Sequence, residues 1–286
     1  MKQFLNKLVS LPVELWQSRK LIWKLAKNDF KTKYAGSYLG IIWAFVQPVI
    51  TILVYWLVFE KGFSAKAEMF KSGVEVPFVV YLTSGLVPWF FFSEAVSSST
   101  NALIEYNYLV KKVVFKISIL PLIKILAACF IHVFFVGVLL VIYLIYGYPP
   151  SLYLLQLIYY SFCMFVLVLA MSYTLCSVVV FFRDLSQIVA IALQIGMWAT
   201  PIMWSFTRVE GHKIAVLFKL NPLYYIVTGY RESLFDHRFF WQDTGMTIYF
   251  WAVTLLLFAF GTFVFKRLKP HFADAVSYTH LRAHET

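Results

Sequence analysis

The sequence predicts an all-α integral membrane protein with six transmembrane helices, an N-terminal amphipathic interfacial helix and an outer re-entrant helix pair before the last span. Three observations carry that prediction. Hydrophobic residues fill 61% of the 286 positions and charged ones 14%, with mean hydropathy +0.74, which leaves too little polar surface to cover a soluble globule. The apolar residues fall into runs near the roughly 20 residues a bilayer core requires. The lysines and arginines behind the formal net charge of +11 sit at the ends of those runs and form no long basic arm. The charge therefore reads as membrane topology, and nucleic acid is excluded as a partner.

Residues 1–37 form a basic cytoplasmic lead. At about 100° per residue, Lys20, Lys24, Lys27 and Lys31 share one stripe, while Leu21, Ile22, Leu25, Ala26 and Phe30 spread over the other side, the pattern of a helix lying in a membrane surface with its lysines toward anionic head groups or a partner. A helix docked on a soluble core has the same pattern but does not run into an apolar stretch such as 38–59, the first expected span. That stretch begins too late for a cleavable signal peptide. Residues 60–77 form a polar loop, and 78–98 a second span expected to break at Pro88. Within the polar stretch 101–116, residues 102–112 suit a short helix with Glu105 near its start and Lys111 and Lys112 at its end, matching the helix dipole. Spans 117–146 and 152–181 are joined by an uncharged hairpin, Gly147-Tyr148-Pro149-Pro150. A fifth span is expected over 185–206, a mixed segment over 207–245, and a sixth span over 246–265, so that the transmembrane domain covers 38–269.

Orientation follows from counting lysine and arginine. The sides holding the two termini carry 16 and the opposite sides 8, with Lys124 inside a span, which places both termini in the cytoplasm. Segment 214–235 is apolar enough to be considered as a seventh span. Lys219, Asn221-Pro222 and Arg231-Glu232 interrupt it, and a crossing there would put Lys266, Arg267 and Lys269 outside, so it reads as a re-entrant pair of short helices on the outer face. Residues 277–286 (SYTHLRAHET) lack periodicity and read as a non-native appendage, and His280 and His284 within them are not taken as a metal site.

No phosphate-binding GxxxxGK[ST] loop, HExxH or GxSxG motif is present, so no catalytic centre is expected and the chain reads as a non-enzyme. Cys129, Cys163 and Cys176 lie inside apolar runs, against disulfides and against a zinc site. His132 is alone in its span and reads as a structural hydrogen-bonding residue. Work must then be energised from elsewhere, and two cytoplasmic turns could receive that energy: 101–116, and the charged turn Phe182-Arg183-Asp184-Leu185-Ser186-Gln187.

Four motifs now stand in order: LGIIWAFVQP (39–48), NYLVKKVVF (107–115) followed by Leu120-Pro121, FFRDLSQI (181–188) and NPLYYIVTGYR (221–231). Together they resemble the membrane subunit of type 2 ATP-binding-cassette exporters, within the group that exports lipid-linked teichoic acid, O-antigen or capsular polysaccharide. The resemblance runs to about Lys269. Phe115-Lys116 stands where relatives often carry Phe-Pro, and DFKTKYAGSYLG (29–40) inclines toward the teichoic-acid branch. The resemblance implies a homodimer in the bacterial cytoplasmic membrane, membrane lipid around it, an undecaprenyl-linked polymer as cargo, and a separate nucleotide-binding ATPase subunit. It implies no cofactor bound directly, with ATP and magnesium held by that partner. It assigns ATPase docking to Lys24, Lys27, Glu105, Tyr106, Lys111, Lys112, Arg183 and Asp184, and an outer gate to Asn221, Pro222, Tyr224 and Arg231.

Helical phase adds a candidate cargo path. Trp43, Gln47, Thr51 and Tyr55 recur every fourth residue on the first span, and Gln187, Ile191, Gln194, Trp198 and Pro201 share a face of the fifth. Amides in hydrocarbon need protein or a wet cavity, and aromatic rings stack on sugar faces. The plainer alternative is that these stripes pack helices together and that the rings mark interfacial belts. The resemblance places both spans along the channel. Two other functions were weighed: a membrane enzyme acting on a lipid carrier, which calls for a concentrated acidic or histidine cluster where the 14 acids here are scattered, and the same family carrying a drug or lipid.

Overall fold

The structure, a computed structural model, describes residues 11–65, 68–110, 112, 115–272 and 275. Its helices are α1 (Arg19–Lys33), α2 (Trp43–Trp56), α3 (Phe78–Thr100), α4 (Ala102–Glu105), α5 (Asn107–Val110), α6 (Leu120–Ile145), α7 (Gln156–Val179), α8 (Leu185–Ala199), α9 (Ile214–Lys219), α10 (Pro222–Arg231) and α11 (Thr244–Leu268). A two-stranded antiparallel ribbon, β1 (Glu68–Met69) and β2 (Glu75–Val76), pairs Glu68 with Val76 and closes the loop after α2. Among the described residues, five segments are long and apolar enough to cross a bilayer: Gly40–Gly62, Phe78–Thr100, Ile117–Ile145, Leu152–Val179 and Thr244–His271. The protein is an all-α, multi-pass membrane protein.

Packing centres on α3. Within its most apolar stretch 78% of residues are buried, against 11% for the first segment, Gly40–Gly62, so α3 is the core and the first segment a flank. α3 packs on α6 and α7, and α7 packs on α11. There a Cβ on Gly261 would come within 2.8 Å of the Ala170 carbonyl oxygen, so glycine sets how closely those two helices approach.

Side-chain bonds sort the connections into two ends of the bundle. At one end, Ser186 donates to Asn101 Oδ1 at 2.7 Å and Tyr106 to Asp29 at 2.5 Å, which gathers the N-terminal lead, the 102–110 turn and the turn before α8. At the other, the Ser72 amide donates to Asp236 Oδ1 at 2.9 Å and Tyr148 to the Glu75 carbonyl at 3.2 Å, gathering the β1–β2 ribbon, the Gly147–Pro150 hairpin and the stretch after α10.

Three expectations change. Pro88 does not break the second span: α3 is continuous through it, because its neighbours enclose this helix on most sides and tertiary packing overrides the local cost. The helix expected over 102–112 is instead two single turns, α4 and α5, interrupted at Tyr106 (φ −95°, ψ 32°), whose hydroxyl turns to Asp29. Lys112 is outside both turns, and Lys111 and the tail 277–286 lie outside the described residues. The fifth span is helical only over the 15 residues of α8, about 22 Å at 1.5 Å per residue, because Thr200 precedes Pro201 and adopts extended backbone (φ −100°, ψ 133°).

Candidate functional site

The end carrying the 102–110 turn is organised by one buried cation. Lys124, near the start of α6, places Nζ 2.6 Å from Asp29 Oδ1 on α1 and 2.6 Å from Glu105 Oε2 on the turn. Tyr106 donates its hydroxyl to the same Asp29 oxygen at 2.5 Å. Burial, then the hydrogen bond to a carboxylate, push the Tyr106 pKa up, so the phenol stays a donor. Lys33 at the end of α1 pairs with Glu94 on α3. Burial lowers the Lys33 pKa, but Glu94 more than offsets this and leaves it above the ordinary lysine value. These groups line a cleft of about 560 Å³ between α1, α3, α6 and the turn. Around it, Lys24, Lys27, Lys112, Arg183 and Asp184 are exposed, with the Lys27 ammonium 5.1 Å from the Trp23 ring.

At the opposite end, two short helices meet the broken end of α8. Asn221 caps α10, accepting from the Leu223 amide at 3.0 Å, and donates to Thr200 Oγ1 at 2.9 Å. Pro222 fills the first helical position of α10, where a missing N–H costs nothing. Arg231 is buried and its guanidinium donates to the carbonyls of Pro201, Ile202 and Tyr81 and to Ser84 Oγ, lying 3.7 Å over the Tyr81 ring. It therefore satisfies the backbone that Pro201 leaves unpaired. Tyr224 packs on Phe206 and, with Arg231 and Glu232, lines a cavity of about 210 Å³. Burial raises the Glu232 pKa.

The candidate path residues fall on two uncovered faces. Trp43, Gln47, Gln194 and Trp198 are exposed, while Thr51 and Tyr55 are half-buried. α2 and α8 each pack on α3, Gly196 of α8 lying against Trp89, and each leaves its amide-bearing side open. Thr51 satisfies its hydroxyl on the Gln47 carbonyl of its own helix at 2.9 Å.

Residues 20–235 match the family model described as ABC-2 type transporter. The chain belongs to that family. Across 270 residues, 94% of this chain and 100% of the relative, it is 27% identical to the O-antigen export system permease protein RfbA of Myxococcus xanthus. It is 23% identical to a protein of the same description from Klebsiella pneumoniae over 252 residues, 87% of this chain and 92% of that one. The family match spans the four motifs from which the resemblance was read.

Sequence reasoning passed over the Asp29–Lys124 pair, although its signal was present: a lysine inside the apolar run 117–146 requires a carboxylate partner, and Asp29 lies among basic residues on the amphipathic helix. The Lys33–Glu94 pair left the same kind of signal, a carboxylate inside the apolar stretch 78–98, but nothing local names a partner 61 residues away. His132 bonds Ser161 Oγ at 3.0 Å and the Tyr230 hydroxyl at 3.2 Å, a hydrogen-bonding position joining α6, α7 and α10.

Proposed function

We propose that this chain is the permease half of an ATP-driven exporter that moves an undecaprenyl-linked cell-surface polymer, O-antigen, teichoic acid or capsular polysaccharide, across the bacterial cytoplasmic membrane. The observation that carries this reading is the pair of open faces on α2 and α8, each mixing glutamine with tryptophan. A glutamine exposed to hydrocarbon is costly, so these faces call for protein or a wet path beside them. A second copy of the chain supplies the other wall, and the cargo class follows from relatives that carry the name O-antigen export system permease along essentially their whole length.

In this reading α8 is the fifth of six spans, shortened because α9 and α10 re-enter from the outer face and complete its depth. Both termini are cytoplasmic. The outer gate is built from Asn221, Pro222, Tyr224 and Arg231, which tie α10 to the end of α8. The ATPase subunit, holding ATP and magnesium, docks on the opposite end against Lys24, Lys27, Glu105, Tyr106, Lys111, Lys112, Arg183 and Asp184. Trp43, Gln47, Thr51, Tyr55, Gln194 and Trp198 line the path.

The test is export in cells. A strain lacking this chain should accumulate lipid-linked polymer inside and regain surface polymer when the chain is restored together with its ATPase. Surface polymer unchanged by the deletion would remove the cargo assignment.

A further inference from the structure

The first segment, Gly40–Gly62, is scarcely packed against its own bundle, with 11% of its apolar stretch buried, yet it carries four of the six residues assigned to the path. Displacement reaches it most directly through the chain that enters it, which is α1. On its apolar side α1 rests on α6, with Ile22 and Ala26 buried and the rings of Trp23 and Phe30 each 5.4 Å from Phe130. On the side facing the 102–110 turn, the cleft of about 560 Å³ stands in place of packed side chains. Force from the turn therefore crosses to α1 through polar contacts centred on Asp29.

That junction is short, and its Asp29–Lys124 half is enclosed while the Glu105 carboxylate stays half exposed. Asp29 and Lys124 retain 8% and 9% exposure. One ammonium bonds a carboxylate on α1 and another on the turn, and Tyr106 adds a second bond from the turn to the same Asp29 oxygen. Charge-assisted hydrogen bonds are directional and, away from water, costly to separate. A displacement of the turn is then passed on, where an apolar contact bordering a cavity would yield.

Given the exporter reading, we propose that Lys124 is the positioning residue that couples the 102–110 turn to the first membrane segment, making the turn, α1 and α6 move as one body when the ATPase partner acts on the turn. Three variants of the complex assembled with its ATPase, in lipid nanodiscs and in cells, test it. Lys124→Arg keeps the charge. Lys124→Met removes it and strands Asp29. The double variant Asp29→Asn with Lys124→Met removes both buried charges, a change that spares folding because the one carboxylate left without Lys124, that of Glu105, is half exposed to solvent.

Two readouts separate coupling from stability: polymer exported per ATP hydrolysed, and the nucleotide-dependent distance between spin labels at the exposed positions Phe63, after the first segment, and Leu152, before α7. In the double variant, export per ATP should fall about tenfold, within the range typical of coupling between sites, with complex yield and ATP hydrolysis near wild type. The label distance should lose its response to nucleotide, and Lys124→Arg should keep both properties. An assembled double variant that exports normally and moves its label normally overturns the proposal, as does a fall in ATP hydrolysis equal to the fall in export. If wild type moves the labels but exports no polymer and the double variant stops the movement, the cargo assignment fails and the Lys124 joint stands.

Discussion

Gln47 and Gln194 are where one atom type decides between two roles. If their amides only held helices together, each interhelical bond would be worth about 0.6 kcal/mol and its loss would scarcely affect transport. Lining a path predicts otherwise: Gln47→Leu and Trp198→Ala should strongly reduce surface polymer while complex yield and basal ATP hydrolysis stay near wild type, measured by polymer blotting and by the purified complex. Normal export in both variants would return these side chains to packing. Gly229 makes a sharper steric case. A Cβ there would stand 2.1 Å from the buried Tyr160 ring, so the ring must shift toward the cavity of about 210 Å³ that it and Gly229 line. Gly229→Ala should destabilise the bundle by about 1–3 kcal/mol, the range for forced overpacking, visible as a lower melting temperature in detergent.

At the scale of elements, hydrogen bonds between loops divide the chain into two ends, and the excess of lysine and arginine at one of them predicts that this end is cytoplasmic. Single cysteines at Ser72 and Gly211 should react with an impermeant thiol reagent on intact cells, and one at Glu105 only after the membrane is opened. Labelling at Glu105 alone in intact cells would invert the topology. Pro88 and Pro201 show why a proline cannot be read in isolation. Pro88 sits within α3, whose neighbours hold it helical. Pro201 follows the thinly covered α8, where extended backbone at Thr200 is free to form and Arg231 arrives to bond the exposed carbonyls.

For the whole molecule, the absence of a phosphate loop has a direct consequence. Purified alone, the chain should hydrolyse no ATP above a mock preparation, and turnover should appear only with the ATPase subunit present. Clear hydrolysis by the isolated chain would contradict the division of labour between the two proteins.

The sequence by itself determined the class, the long apolar segments, the amphipathic lead and the family, because these rest on composition, on periodicity and on local runs such as NPLYYIVTGYR that do not depend on distant partners. It also marked Asn221-Pro222 and Arg231-Glu232 as interruptions of the apolar stretch 214–235, since a proline and a charge inside such a stretch carry their meaning locally. Only the tertiary structure decided that Tyr106 interrupts the 102–110 turn, that α8 stops at Ala199, and that Asp29, Lys124 and Glu105 share one charge centre. The second is a local effect of Pro201 that thin packing around α8 leaves in force where packing around α3 overrides Pro88. The first and last turn on contacts between residues far apart in the chain: Tyr106 and Asp29 are separated by 77 positions and Asp29 and Lys124 by 95, and no periodicity records which carboxylate a buried lysine will find.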